Sequence, residues 1–253
     1  MTSRVPRLPP PCFYDAGEAA LVVEFGDAVD PAINRRVVAL DDELSKLRLA
    51  GIRELVPTYR SLMVLYDPMQ LPRQSLCDRI GEIVSDENKG SSTGGNKSWL
   101  IPCCYDRIFA EDIDEVANAT GLSPTDIASA HAGARYRLYM YGFAPAYCYL
   151  GGLSHELHIQ RRQRPRPPHP AGAILIGGGL ASIATFPMPT GWYVLGRTPA
   201  KLFEPKNADP FFLRPGDCVR FLPITPDEFV ELEARVDAGE SLALEIGLPE
   251  VAA

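Results

Sequence analysis

The sequence predicts an α+β protein in two parts. The first is a small α+β sandwich over residues 1–86. The second, residues 99–253, is a domain dominated by short strands, a barrel or a sandwich. Three observations support this division. Residues 87–98 (ENKGSSTGGNKS) carry no large apolar side chain and are rich in Gly and Ser, the composition of a flexible linker. Before them, apolar patterning alternates between strand and helix periods. After Tyr136, short β-type runs are broken by Gly and Pro.

The elements follow in order. Residues 1–11 are Pro-rich, with two Arg and no apolar core; they read as a disordered tail and not as a secretory signal. Residues 19–25 (AALVVEF) read as a strand. Asp30 then takes an N-cap position and Pro31 the first helical position. Ile33, Val37, Leu40, Leu44 and Leu47 form one apolar helix face, and Gly51 is expected to end the helix. Residues 52–58 and 61–66 read as a strand pair, and 72–84 as a helix with Leu76, Ile80 and Ile83 on one side. This part shows no chemistry and reads as docking or scaffold.

In the second part, residues 99–104 read as a strand and 111–120 as a helix stopped by Gly121. Ser123, Pro124 and Asp126 form a helix start: a cap, Pro at the first position and an acid three residues after the cap. Strands are expected at 136–141, 173–176, 182–185, 192–196 and 218–222, and a last helix at 229–236.

Composition excludes several functions. The chain has 253 residues, with 25 basic against 32 acidic side chains and a net charge of −7. That balance argues against a nucleic-acid binder, which needs a basic surface. No apolar run approaches the roughly 18 residues of a membrane span. The six cysteines, Cys12, Cys77, Cys103, Cys104, Cys148 and Cys218, include no C-x-x-C pair. Reduced thiols and a cytoplasmic location are expected.

Candidate functional residues are few. Residues 176–179 (IGGG) lack the G-x-x-x-x-G-K-[ST] pattern and a following helix, so a tight turn is expected there. His155 and His158 are three apart, but the glycines before them disfavour a long helix and no third ligand stands out; no metal site is expected. His131 closes the capped helix, either as a cap or packed residue or as a general base. Arg161, Arg162, Arg164 and Arg166 form a basic cluster in RRQRPRPPHP, either a solvated or partner-facing loop or an anion site, since Arg binds carboxylate and phosphate bidentately. Arg197 and Thr198 sit at a strand end. Tyr136, Tyr139, Tyr141, Phe143, Tyr147 and Tyr149 supply core or a pocket wall.

Four separated stretches together resemble one family: 136–153 (YRLYMYGFAPAYCYLGGL), 161–172 (RRQRPRPPHPAG), 189–199 (PTGWYVLGRTP) and 213–221 (LRPGDCVRF). The chain resembles the 5-oxoprolinase B-subunit family, which also contains a sporulation kinase inhibitor and allophanate hydrolase subunit 1. The same module occurs in the carboxyltransferase part of urea carboxylase. The resemblance implies a C-terminal cyclophilin-like β-barrel. It also implies a larger homologous second subunit, a third barrel-shaped subunit, and ATP used by the complex to phosphorylate and open a lactam. On that basis His131 and Tyr149 are the expected catalytic pair. Arg162, Arg166, Arg197 and Thr198 are the expected substrate- or phosphate-binding set. Two alternatives follow from the same resemblance: an allophanate- or urea-directed carboxyltransferase subunit, and a non-catalytic inhibitor of a histidine kinase. The sequence departs from the family at Ala146 and Tyr147, which stand where Gly and Phe are usual. It departs again at Arg135 in place of an acid, at Leu180–Ala181–Ser182 in place of Q-T-G, and at Thr190 in place of Gly.

Overall fold

The computed structural model describes residues 9–85, 97–242 and 244–245. The chain divides into two units, residues 1–95 and 96–253. The expected tail lies largely outside the described residues, as does most of the expected 87–98 linker. Ser98 already opens a strand.

The first unit is a four-stranded antiparallel sheet with two helices. Strands β1 (Cys12–Asp15), β2 (Ala20–Glu24), β3 (Ile52–Pro57) and β4 (Ser61–Tyr66) lie in the order β1-β2-β4-β3. Helix α1 (Pro31–Leu47) starts where Asp30 Oδ1 accepts the backbone N–H groups of Ala32 and Ile33, at 2.6 and 3.2 Å. It ends before Gly51: Arg48 turns left-handed at φ 46° and its N–H closes on Leu44 O. Gly51 instead serves the next turn, at φ 95°. Helix α2 (Arg73–Ser85) buries Leu76, Ile80 and Ile83, and with α1 packs Val37, Leu40 and Leu44 over Leu21, Val23, Leu62 and Val64. Strand β1 falls just past the stretch expected as tail and overlaps no expected strand. Four residues on a sheet edge carry too little patterning to announce themselves.

The second unit is a closed barrel. Its strands are β5 (Ser98–Cys104), β6 (Tyr136–Tyr141), β7 (Cys148–Gly151), β9 (Ala173–Gly177), β10 (Leu180–Ile183), β12 (Tyr193–Arg197) and β13 (Cys218–Ile224). They run in the order β12-β9-β10-β7-β6-β13-β5, and β5 pairs back onto β12 at Cys104 and Arg197. Most pairs are antiparallel; β13 and β5 are parallel over seven residue pairs, from Cys218 opposite Ser98 to Ile224 opposite Cys104. Strand β14 (Leu244–Glu245) adds to β5 on the far side. Strands β8 (Arg166–His169) and β11 (Met188–Thr190) form a separate ribbon.

Two features shape this barrel. Alternate side chains of β9 serve opposite faces: Ile174 and Ile176 join the interior with Leu138, Leu150, Ile183 and Leu195, while Ala173 and Leu175 join an outer cluster with Tyr147, Trp192 and Val194. The seam depends on Gly196. A Cβ there would stand 2.6 Å from Cys104 O and 2.9 Å from Cys103 Sγ, so only a bare backbone lets β12 reach β5. Helices α3 (Ile113–Thr120), α4 (Pro124–Gly133) and α5 (Pro226–Asp237) complete the unit. Helix α4 begins at Ser123, whose hydroxyl accepts Asp126 N–H, and α5 begins with a full capping box between Thr225 and Glu228.

Candidate functional site

The seam at Arg197 opens into a cavity of about 130 Å³ between β12, the turn at Gly172 and helix α5. Arg197 and Thr198 both line it, with Lys201, Glu233 and Asp237. Local chemistry builds it. Gly172, at φ 79°, donates to Ala184 O at 2.7 Å and accepts from Thr198 N at 2.9 Å. A Cβ on Gly172 would lie 2.3 Å from Thr198 O, which fixes the turn against the strand end. Arg197 Nε donates to Ala171 O at 3.0 Å, and its Nη2 reaches Glu233 Oε1 at 3.3 Å. Lys201 Nζ meets Asp237 Oδ1 at 3.0 Å. Two cations thus face two carboxylates one helical turn apart on α5. Because these pairs are partly exposed, their attraction is weak and a ligand carboxylate or phosphate can compete for the cations. Thr198 is 2% exposed and its hydroxyl accepts Ala200 N–H at 3.1 Å; it holds the turn.

The other expected site residues lie elsewhere. Arg162 binds Glu115 through both Nη atoms, at 2.8 and 2.6 Å, and reaches Asp112 Oδ1 at 3.0 Å. Arg166 binds Asp112 Oδ2 at 2.6 Å and also Glu111. Asp112 Oδ2 further accepts Val194 N–H at 2.7 Å. The Arg162 guanidinium stacks 4.3 Å over Tyr193. Both expected anion-binding arginines are thus paired with the chain's own carboxylates in this structure. The positive charge is met by three carboxylates around the start of α3, and the network ties β8 and the segment before it to that helix.

His131 is fully buried. Its ring packs 4.8 Å from Phe221 and 5.1 Å from Tyr136, and Nδ1 lies 2.8 Å from Tyr105 Oη. Burial pushes its pKa down to about 3, so it is neutral at pH 7. This placement matches a packed residue, the other reading the sequence offers for His131. Tyr149 stands on the outer face of β7, in an edge-to-face chain with Tyr147 at 5.3 Å and Trp192 at 6.0 Å. It is not among the residues that line the cavity.

The glycine turn at 177–179 joins β9 to β10; Gly177 is buried under Trp192, while Gly178 is exposed and Gly179 half-buried, with Arg161 and His158 alongside them. His155 and His158 fall at a short 3-10 turn, and no metal-binding group of side chains occurs among the described residues. No helix among the described residues is long and apolar enough to cross a membrane.

Lys201, Glu233 and Asp237 are not singled out by the sequence reading. The signal is present: Lys201 follows Arg197 by four residues, and Glu233 and Asp237 are four apart on one helix. What the sequence lacks is the seam that brings strand end and helix together.

A closed barrel of mixed strands, in a chain with a separate α+β unit and carrying a small cleft of paired charges, defines a two-unit α+β protein. The chain belongs to the family described as the carboxyltransferase domain, subdomain C and D, whose model matches residues 11–213. It is 31% identical to the B subunit of 5-oxoprolinase from Bacillus subtilis, covering 84% of this chain and 92% of that protein. It is 31% identical to the protein of the same name from Escherichia coli O157:H7, covering 83% and 94%. Among solved structures, TTHA0988 superposes with a TM-score of 0.72 at 34% identity over 81% of this chain, which spans only 40% of that longer chain. Kluyveromyces lactis urea carboxylase shares the fold, with a TM-score of 0.71 at 18% identity over 96% of this chain and 25% of its own.

Proposed function

We propose that this chain is the B subunit of a 5-oxoprolinase-type hydrolase complex, working with a larger homologous subunit and a third, barrel-shaped one. The observation that carries the reading is alignment along more than nine-tenths of the length of two relatives with that name. In the reaction, water opens the lactam C–N bond of 5-oxoproline to give glutamate, and ATP is hydrolysed to ADP and phosphate.

Within this chain the cleft at the seam supports the reading. Arg197, held by Ala171 O and lining the cavity, receives a carboxylate or a developing oxyanion in place of Glu233. Lys201 adds a second positive charge, and Glu233 and Asp237 hold both cations in place until ligand displaces them. ATP is assigned to the complex as a whole.

The test is reconstitution with the two partner subunits from the same genome, measuring glutamate formed from 5-oxoproline with ATP. Arg197→Ala is expected to lower turnover about a hundredfold, the scale of losing one charge-stabilising group, while the complex still elutes intact. Unchanged turnover removes Arg197 from the site. A wild-type complex inert to 5-oxoproline but active on urea or allophanate overturns the reading in favour of a carboxyltransferase.

A further inference from the structure

We infer that the loop at residues 142–147 is the docking anchor for the larger subunit, with Phe143 as the side chain that the partner encloses; this rests on the subunit reading above. Phe143 is 76% exposed, and its backbone stands at φ 67°. A bulky residue in the left-handed region is uncommon and strained. In the isolated chain the exposed ring recovers little of that cost through burial. Ala146, in the same loop, is also left-handed at φ 54°.

The loop is fixed despite this strain. Gly142 N–H donates to Tyr147 O at 3.2 Å, Ala144 N–H to Gly142 O at 2.7 Å, and Tyr147 N–H to Ala144 O at 3.1 Å. The Thr185 hydroxyl ties the loop to the barrel by donating to Pro145 O at 2.7 Å. The Phe143 ring leans edge-on against Tyr147, with centroids 5.7 Å apart. An aromatic side chain is therefore held out in a set position, and docking it costs little further order.

An exposed aromatic ring beside an Arg is the pairing that interface cores favour. Tyr147 and Trp192 are buried in the chain's own outer cluster and support the ring from below, with half-buried Tyr149 between them, so Phe143 is the aromatic side chain left to a partner. Arg161 lies beside them: its side chain crosses Gly178, and its charge is felt at Tyr147. Arg162 and Arg166 are neutralised by carboxylates, but Arg161 makes no ion pair among the described residues. The partner face that fits is an apolar cup with a carboxylate at its rim. A protein partner fits better than a small ligand, because Phe143 stands outside the cavity at the seam. In TTHA0988 a module of this kind makes up 40% of a longer chain, so further polypeptide accompanies it there.

The experiment measures affinity of the full chain for the larger subunit by titration calorimetry, using wild type, Phe143→Ala, Phe143→Gly and Arg161→Glu, with the melting temperature of each chain alone. Both Phe143 variants are expected to weaken binding tenfold or more. Phe143→Gly should also raise the melting temperature of the free chain, because glycine accepts φ 67° without strain. Arg161→Glu should slow association most at low salt. Binding of both Phe143 variants within twofold of wild type overturns the anchor. So does normal subunit binding with a raised KM for 5-oxoproline, which would make Phe143 a substrate contact. Failure of the wild-type chain to bind the larger subunit overturns the subunit reading itself.

Discussion

Replacing Asp112 with alanine tests whether Arg162 and Arg166 belong to the structure or to a ligand site. The Asp112 side chain is 10% exposed; its Oδ1 receives Arg162 at 3.0 Å and its Oδ2 receives Arg166 at 2.6 Å. The same Oδ2 accepts Val194 N–H at 2.7 Å. Alanine leaves two largely buried guanidinium groups facing only Glu111 and Glu115, whose exposed carboxylates compensate little. Removing one partner of a buried ion pair costs about 3–5 kcal/mol. The orphaned N–H contributes about 1–3 kcal/mol. The two effects share one side chain and overlap, so a loss of about 4 kcal/mol is expected. For a unit of this size, each kcal/mol lowers Tm by about 2–4 °C, giving a shift of roughly 8–16 °C. Scanning calorimetry of wild type, Asp112→Ala and Asp112→Asn measures it. Asparagine keeps an acceptor and should cost less. The double variant Asp112→Ala with Arg166→Ala should recover part of the loss, because it also removes a stranded charge. A loss below about 1 kcal/mol for Asp112→Ala refutes the argument and returns both arginines to the candidate anion site.

Two further outcomes concern local chemistry. Burial, with Asp42 alongside, pushes Asp41 up from 3.8 to about 6. The folded state then holds this proton more tightly than the unfolded state, so the group's stabilising effect is full below about pH 4 and is lost as pH rises through about 6. Asp41→Asn should therefore gain up to about 3 kcal/mol on wild type at pH 7.5 and nothing at pH 4 in urea unfolding; an equal effect at both pH values contradicts this. Gly152→Ala places a Cβ 2.2 Å from Arg135 O at φ 105°, and should cost about 2 kcal/mol or more by thermal denaturation; a neutral variant refutes the close approach.

Local signals carry much of the fold. Asp30–Pro31 and Ser123–Pro124 mark helix starts that the structure uses, because a cap needs only its own few residues. Residues 61–66 and 136–141 show their strands through β-type residue choice and alternation. The end of α1 differs from expectation because Arg48, and not the nearby glycine, takes the left-handed position. Strands β1, β7, β8, β11 and β14 have no counterpart among the expected elements: each is two to four residues long and draws its stability from a partner strand.

The candidate site is legible only in part. Arg197 and Thr198 are picked out by sequence, since a charged residue at a strand end is a local feature, and both line the cavity. For His131, Arg162 and Arg166 the residue type is local information but the surroundings are not. Whether a histidine is sealed or a guanidinium is already paired depends on groups far along the chain: Phe221 for His131, Asp112 and Glu115 for Arg162.

By itself, the sequence determined the element types, the two-part α+β organisation and the resemblance to a family, because periodicity, caps and motif residues are written in neighbouring positions. Only the tertiary structure decided which carboxylate each cation meets. Barrel closure at Gly196 brings Arg197 to Glu233 and opens the cleft, while the same folding locks Arg162 and Arg166 onto Asp112. Charge pairing acts through space over a few ångströms, and the order of residues along the chain does not record that distance.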